Sequence, residues 1–339
     1  MNHCGLDMGK KSSVFCIMNG KRKILREGAV RNRPEQVAKA FLKMEKAQFV
    51  IEASTKAFWM ADLLRSIGHE AVVVDPGRTK AIGAAMIKHD KLDARVLATL
   101  GAADLLAKVD QPTEEQRVAR MPVVARDGLV RCRVRLVMLV RSMLDSEGIE
   151  LKGCALGVFS REVRSMAGRM PAGITEAIAP VLAAIDTLTE QIARCDESLK
   201  ESMAQDPTAQ LLMTAPGIGP VVAACFQFAV RDPGRFKTGR EVGAYLGLVP
   251  SLYQSGETYR RGRITKHGNR QARWALTMAA NVLLSVVKKP SALRTWGLAL
   301  AKKRGRKKAV VAVGRKLAAI LWSMWRHQRP FEPQLALAA

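Results

Sequence analysis

With 339 residues the chain has room for two or three domains, and its formal net charge is +25. Residues are 48% hydrophobic and 25% charged, a globular balance in which no apolar run reads as the roughly 18–20 residues of a membrane span. The N-terminus, MNHCGLDMGKKSS, lacks a signal peptide's apolar core, and the six scattered cysteines form no C-x-x-C pair, against a zinc site or a disulfide framework.

Those features place the chain in the cytoplasm, and the charge calls for a polyanion, nucleic acid above all. Residues 3–7 and 14–18 predict strands around a Gly-Lys-Lys-Ser-Ser turn, with a third strand over 22–30. Residues 34–46 read as a helix from the spacing of Val37, Ala40, Phe41 and Met44, with Pro34 at its start. A short buried strand, 49–51, ends at Glu52. A helix over 58–67 closes at Gly68, and 71–74 is another buried strand. Strands first, then helices alternating with strands, predict a mixed α/β sheet with helices packed on it.

The acids fall at informative places. Asp7 and Glu52 stand at strand ends, where α/β sheets gather functional groups. Lys88-His89-Asp90-Lys91-Leu92-Asp93-Ala94-Arg95 opens a helix running to about Leu100, and i,i+3 spacing puts Asp90 and Asp93 on one face. Two such carboxylates repel unless a cation or a proton separates them. Four around one spot make an oxygen cage suited to Mg²⁺. Each acid also has a plainer role. Asp7 can cap a turn, Glu52 can end a surface strand, and Asp90 can cap its helix while Asp93 favours the helix dipole.

Residues 114–150 read as one long helix despite Pro122 and Gly128, with Leu129, Val130, Val134, Leu136, Val137, Leu139, Val140 and Leu144 in an apolar stripe. A glycine-rich connector over 152–173 leads to a second long helix, 174–203. Two such helices predict a helical hairpin or coiled coil and a dimer contact. Asp206-Pro207 marks the next boundary. Residues 212–224, LMTAPGIGPVVAA, form a Pro-Gly-x-Gly-Pro turn between helices that resembles the helix-hairpin-helix DNA-binding turn. Helix packing alone is the other use of such glycines.

An apolar run, Leu246–Val249, then reaches Pro250 and a polar loop exposing Ser255 beside Gly256. A hydroxyl there can meet a phosphate; an ordinary surface serine is the plain alternative. After Glu257 no acid appears until Glu332, while nineteen Lys or Arg residues fill the gap. They begin with Arg260, Arg261, Arg263, Lys266, Arg270 and Arg273, and a cluster of Lys302, Lys303, Arg304, Arg306, Lys307 and Lys308 follows. These residues, with Lys88, are assigned to nucleic-acid phosphates. Helices are predicted beyond Arg273 and over 310–325.

Gly5-Leu6-Asp7, Ile51-Glu52-Ala53 and Lys88-x-Asp90-x-x-Asp93-Ala94 form one signature. Pro216-Gly217-Ile218-Gly219-Pro220, Phe236, Ala244-Tyr245-Leu246-Gly247-Leu248-x-Pro250, Ser255-Gly256, Ile264-Thr265-Lys266-x-Gly268-Asn269 and Arg273 form another. In this order, over nearly the whole chain, they resemble the DEDD insertion-sequence transposases of the IS-one-ten group, also called bridge recombinases. Two positions depart from that pattern: His89 stands where threonine is common, and Gln254 where a small residue is frequent. The resemblance implies a RuvC-like (RNase H-like) DEDD domain over 1–112, a coiled-coil middle over 113–205, and a mainly helical transposase domain over 206–339. It implies Asp7, Glu52, Asp90 and Asp93 as metal-binding acids for Mg²⁺ and Ser255 as a nucleophile joining to a DNA phosphate. Donor and target DNA, a noncoding bridge RNA and a homo-oligomer, a dimer assembling to a tetramer, are the implied partners, in the bacterial cytoplasm near the nucleoid. Two rivals stand beside it: a RuvC-like junction-resolving nuclease using only acids and water, and a non-catalytic RNA- or DNA-binding protein.

Overall fold

Apolar residues at every second position build the first sheet. Strands β1 (Asn2–Met8), β2 (Ser12–Met18) and β3 (Ile24–Arg31) pair antiparallel in succession. Strands β4 (Ala47–Glu52) and β5 (Glu70–Val74) add parallel to β1, giving the order β3-β2-β1-β4-β5. The parallel strands are linked by α1 (Pro34–Phe41) and α2 (Ala57–Ser66). These helices cover one face, burying Leu6, Phe15, Phe41, Phe49, Ile51, Met60 and Leu64. Helix α3 (Asp90–Ala102) covers the other face, where Ala94 and Ala98 meet Cys16 and Met18, and Leu97 meets Val50 and Val74. Helix α1 stops at Phe41 rather than at Lys46, with Leu42 exposed at its end.

The computed structural model describes residues 1–77, 90–255 and 258–334, so Lys88, His89 and Gly256 lie outside the described residues. The chain divides into two compact units, Met1–Glu114 and Glu115–Ala339, with the mixed sheet in the first.

The second unit is mainly helical. The helix expected over 114–150 is broken into α4 (Glu114–Ala119) and α5 (Met121–Ser146). Pro122 explains the break: it fits the first turn of α5 but would cost a hydrogen bond in the interior of a longer helix. The connector expected over 152–173 is also folded, since α6 (Phe159–Ser165) buries Phe159 and Val163. These pack with Val137, Val140 and Leu144 of α5 and with Ile178, Leu182 and Ile185 of α7 (Ala172–Ala204). By length and composition α7 is long and apolar enough to cross a membrane, contrary to the sequence reading. Its apolar side packs on α5 instead, and one such helix does not make a membrane span.

The remaining helices are α8 (Pro207–Met213), α9 (Pro220–Val230), α10 (Gly239–Tyr245), α11 (Arg270–Ser285), α12 (Ala292–Arg304) and α13 (Arg306–His327), around a second core. Asp206 caps α8 by accepting from Thr208 and Ala209 N–H. The stretch read as a polar loop is a pair of strands, β6 (Pro250–Ser255) and β7 (Thr258–Ile264), in antiparallel register.

Candidate active site and nucleic-acid surface

Strand register sets the first part of the site. Leu6 pairs with Ile51 across parallel β1 and β4, so Asp7 and Glu52, the next residues, end neighbouring strands side by side. Gly5 and Val50, two residues back from each acid, lie on the α3 face, and alternation puts Asp7 and Glu52 on that face as well. Helix α3 runs antiparallel to β1. Its Gly101 approaches His3 and Gln48, whereas Ala94 and Ala98 sit over Gly5. Asp7 is about 7 Å beyond Gly5 along the strand, a distance that takes the helix about four to five residues. That step leads back from 94–98 to the turn holding Asp90 and Asp93.

All four carboxylate residues therefore share one face and one end of the sheet. Asp90 is exposed, and Asp7, Glu52 and Asp93 are half-buried. Among the described residues no three Asp, Glu, His or Cys side chains already stand as a metal-holding group. The placement is common; the closing of the four onto one point is not present.

Gly5 is the hinge of this geometry. A Cβ there would lie 2.0 Å from the Ala94 carbonyl oxygen and 2.5 Å from the Ala98 nitrogen, both backbone atoms that cannot step aside. Gly5→Ala is expected to cost about 1–3 kcal/mol or more by overpacking, measured as a fall in denaturant midpoint at unchanged slope. A midpoint equal to wild type would show that α3 does not press on β1.

A side-chain tie holds the same helix from the opposite direction. Arg95 donates to both carboxylate oxygens of Glu27 on β3, at 2.6 and 2.8 Å. The Arg95 hydrogen bonds hold the Glu27 carboxyl down at about 2, against an ordinary 4.5. A depressed carboxyl stabilises the fold above its unfolded value, and that contribution drains away as pH falls from about 4.5 to about 2. Melting temperature should therefore decline more steeply over that window in wild type than in Glu27→Gln. Matching acid slopes in the two proteins would remove the tie from the account.

The other candidate residues belong to the second unit. Ser255 is the last residue of β6, and its backbone pairs with Thr258 at the start of β7. The base of this ribbon is clamped. Gly247 and Gly268 adopt φ of +68° and +77°, and Lys266 φ of +59°. A Cβ at Gly247 would meet the His267 oxygen at 2.2 Å, and one at Gly268 the Tyr245 oxygen at 2.0 Å, so the two turns interlock through main chain. Arg273 Nη1 donates to the carbonyls of Leu246, His267 and Gly268 at 3.1, 2.7 and 3.1 Å. Its guanidinium thus has an internal task, distinct from the phosphate contact assigned from sequence. Arg306 likewise donates to Asn281 and Ser285 of α11.

Arg260, Arg261, Arg263, Lys266 and Arg270 are exposed, as are Lys302, Lys303, Arg304, Lys307 and Lys308 at the junction of α12 and α13. Among the described residues none of these ten joins a salt bridge. The Pro-Gly turn between α8 and α9 sits against α11, where a Cβ on Gly217 would come 2.8 Å from the Ala279 oxygen. Helix packing accounts for that glycine.

Two family models match this chain: an IS110-type DEDD transposase model over residues 4–148, and the Transposase IS116/IS110/IS902 family over residues 209–295. A probable family 20 transposase of Pseudomonas aeruginosa is 27% identical over 98% of this chain and 99% of its own length. The transposase for insertion sequence element IS1328 of Yersinia enterocolitica is 25% identical over 94% and 95%, and that for IS1111A of Coxiella burnetii is 28% identical over 72% and 68%. The chain belongs to the IS110 family of DEDD transposases.

As an IS110-family transposase it has DNA as its substrate, and its mixed sheet with covering helices is RNase H-like. Asp7, Glu52, Asp90 and Asp93 fall within the first matched segment, and Ser255 with its flanking arginines within the second. Sequence reasoning on this transposase named Gly5 in its signature but missed its packing role, and it missed the Glu27–Arg95 tie and the Arg273 clamp. Only Gly5 carried a signal, as a glycine between Cys4 and Leu6 within a strand.

Proposed function

We propose that this transposase cuts and rejoins DNA strands through a covalent phosphoserine on Ser255, with Mg²⁺ held by Asp7, Glu52, Asp90 and Asp93. The observation that carries the reading is the gathering of those four acids on one face and one end of the sheet. Their donor set is all carboxylate oxygen, which suits a hard divalent cation, and binding would draw at least three of them together. Bound there, Mg²⁺ supplies positive charge against phosphate oxygens as negative charge builds on them.

The chain's own residues do the rest. Ser255 gives up its hydroxyl proton and forms an Oγ–P bond while one P–O bond to a deoxyribose breaks; the departing oxygen takes a proton. Running the step backwards with a second strand releases the serine and reseals the DNA, so the phosphodiester's bond energy is kept. Residues 1–112 are the carboxylate domain, 206–339 the serine domain, and the helices of 113–205 join them as a coiled coil. A noncoding bridge RNA selects donor and target DNA, and the protein works as a dimer assembling to a tetramer at the bacterial nucleoid. The positive charge of the second unit supports both nucleic-acid roles. The test is a denaturing gel of protein with end-labelled DNA and Mg²⁺. A protein–DNA adduct is expected, whereas cleavage that only ever yields free ends would install the junction-nuclease reading, and no Mg²⁺-dependent cleavage the non-catalytic one.

Binding should also be strongly salt-dependent. If Arg260, Arg263, Lys302, Lys303, Arg304, Lys307 and Lys308 each meet a phosphate, log K should fall against log salt with a slope of about −5 to −6. Charge reversal across 302–308 should weaken all sequences about equally, since phosphate contacts position rather than specify. A salt-insensitive binding constant would contradict this assignment.

A further inference from the structure

Among the described side chains of the ribbon β6–β7 none is buried. Leu252, Tyr253 and Tyr259 are 60%, 67% and 52% exposed, and Arg260, Arg261 and Arg263 are exposed beside them. A two-stranded ribbon with bare apolar groups is marginal in water by itself, so its surface is built for an occupant. The charge says which kind, since three arginines and no acid lie among its described residues.

The two tyrosines differ. Tyr259 is already engaged: the Arg261 guanidinium lies 5.5 Å from its ring centroid and Arg261 Nε donates to its hydroxyl at 3.1 Å. Tyr253 has no ring or cation partner among the described residues. It stands opposite Arg260 in the register, and a Cβ on Gly262 would meet Ser251 Oγ at 2.3 Å and the Tyr253 ring at 3.3 Å. Glycine there lets the ring lie close over the neighbouring strand while leaving the outer π-face open. An open aromatic face beside an arginine head with no ion pair among the described residues suits a nucleobase and its phosphate, and such stacking tolerates any base.

We propose that Tyr253, backed by Gly262 and flanked by Arg260, stacks an unpaired base of the DNA strand next to the phosphate that Ser255 attacks. The stacking stands on the ribbon alone, while its position relative to the phosphate rests on the serine reading, Ser255 lying two residues beyond Tyr253 in β6. A base is free to stack only where the duplex has opened, so the ribbon favours single-stranded over fully paired DNA.

The experiment uses the full chain and single-stranded oligodeoxynucleotides carrying 2-aminopurine at successive positions around the cleaved phosphate. Wild type and Tyr253→Phe are expected to quench one position. Tyr253→Ala should lose that quench and bind single-stranded DNA roughly fivefold to a hundredfold more weakly, with duplex affinity unchanged. Tyr253→Leu keeps an apolar strand residue without a π-face, so it guards against a ribbon that fails to fold and should lose the quench too. Retained quench in both, an equal loss on duplex, or a loss confined to a matching RNA oligonucleotide would each overturn the proposal. Ser255→Ala separates the two readings: it should keep the quench and lose the adduct. An adduct that persists there, with the quench still dependent on Tyr253, overturns the serine assignment alone.

Discussion

Ser255→Ala is expected to eliminate the DNA adduct and lower strand exchange by about a thousandfold or more, because the proposed bond to phosphorus is made by the Ser255 oxygen itself. The change removes one atom at the end of a strand whose base is clamped elsewhere, so stability should move by no more than about 0.5 kcal/mol. Two other serines of the same unit provide the contrast. Ser251 Oγ donates to the Arg263 carbonyl at 3.0 Å. Ser285 Oγ donates to the Asn281 carbonyl at 2.6 Å and accepts from Arg306 at 2.5 Å. Their alanine variants should each lose about 1 kcal/mol of stability, the net worth of such hydrogen bonds, yet keep the adduct. A denaturing gel of the four proteins with labelled DNA and Mg²⁺ reads out the pattern. If Ser255→Ala still forms an adduct, the nucleophile lies elsewhere.

Asp90→Asn should leave DNA binding intact or slightly tighter while cleavage falls by about a hundredfold or more, the scale of losing one charge-stabilising group. The substitution is close to isosteric and falls in the first turn of α3, where losing one acidic charge costs about 0.3–1 kcal/mol of dipole stabilisation, so the start of α3 should survive. What disappears is a negative charge, which in the proposed site would weaken the hold on a divalent ion and reduce repulsion of phosphate. Affinity by filter binding and cleavage under the same conditions distinguish the roles. A variant that binds DNA poorly and melts early would make Asp90 a structural residue.

Most elements of the first unit were legible because their periods are clean: Cys4 and Leu6, or Phe49 and Ile51, alternate onto one face, and turn residues bracket them. The ribbon β6–β7 was not, since both of its faces meet solvent and Ser251, Gln254 and Gly262 interrupt any alternation. Helix α6 hid inside a glycine-rich segment, where Phe159 and Val163 are too few to announce a helix yet enough to bury one. Within the site, strand ends and i,i+3 spacing were readable from Asp7, Glu52, Asp90 and Asp93. The antiparallel course of α3 was not, because a glycine in β1 signals a close approach without saying which element approaches or in which direction. Arginine identity was equally silent on use: Arg260 and Arg273 look alike in a basic run, but only the fold shows Arg273 Nη1 donating to three carbonyls.

The contact between Gly5 and α3 is made by main chain on main chain. Spacing between the Asp7 strand end and the Asp90–Asp93 turn is consequently limited by peptide geometry as well as by the side chains of Ala94, Leu97 and Ala98 on that face. Substitutions that repack the sheet's other layer, at Phe15, Phe41 or Met60, can soften the unit without changing that spacing. An engineer seeking a hardier variant is therefore free to rework that layer, and should leave the glycine alone.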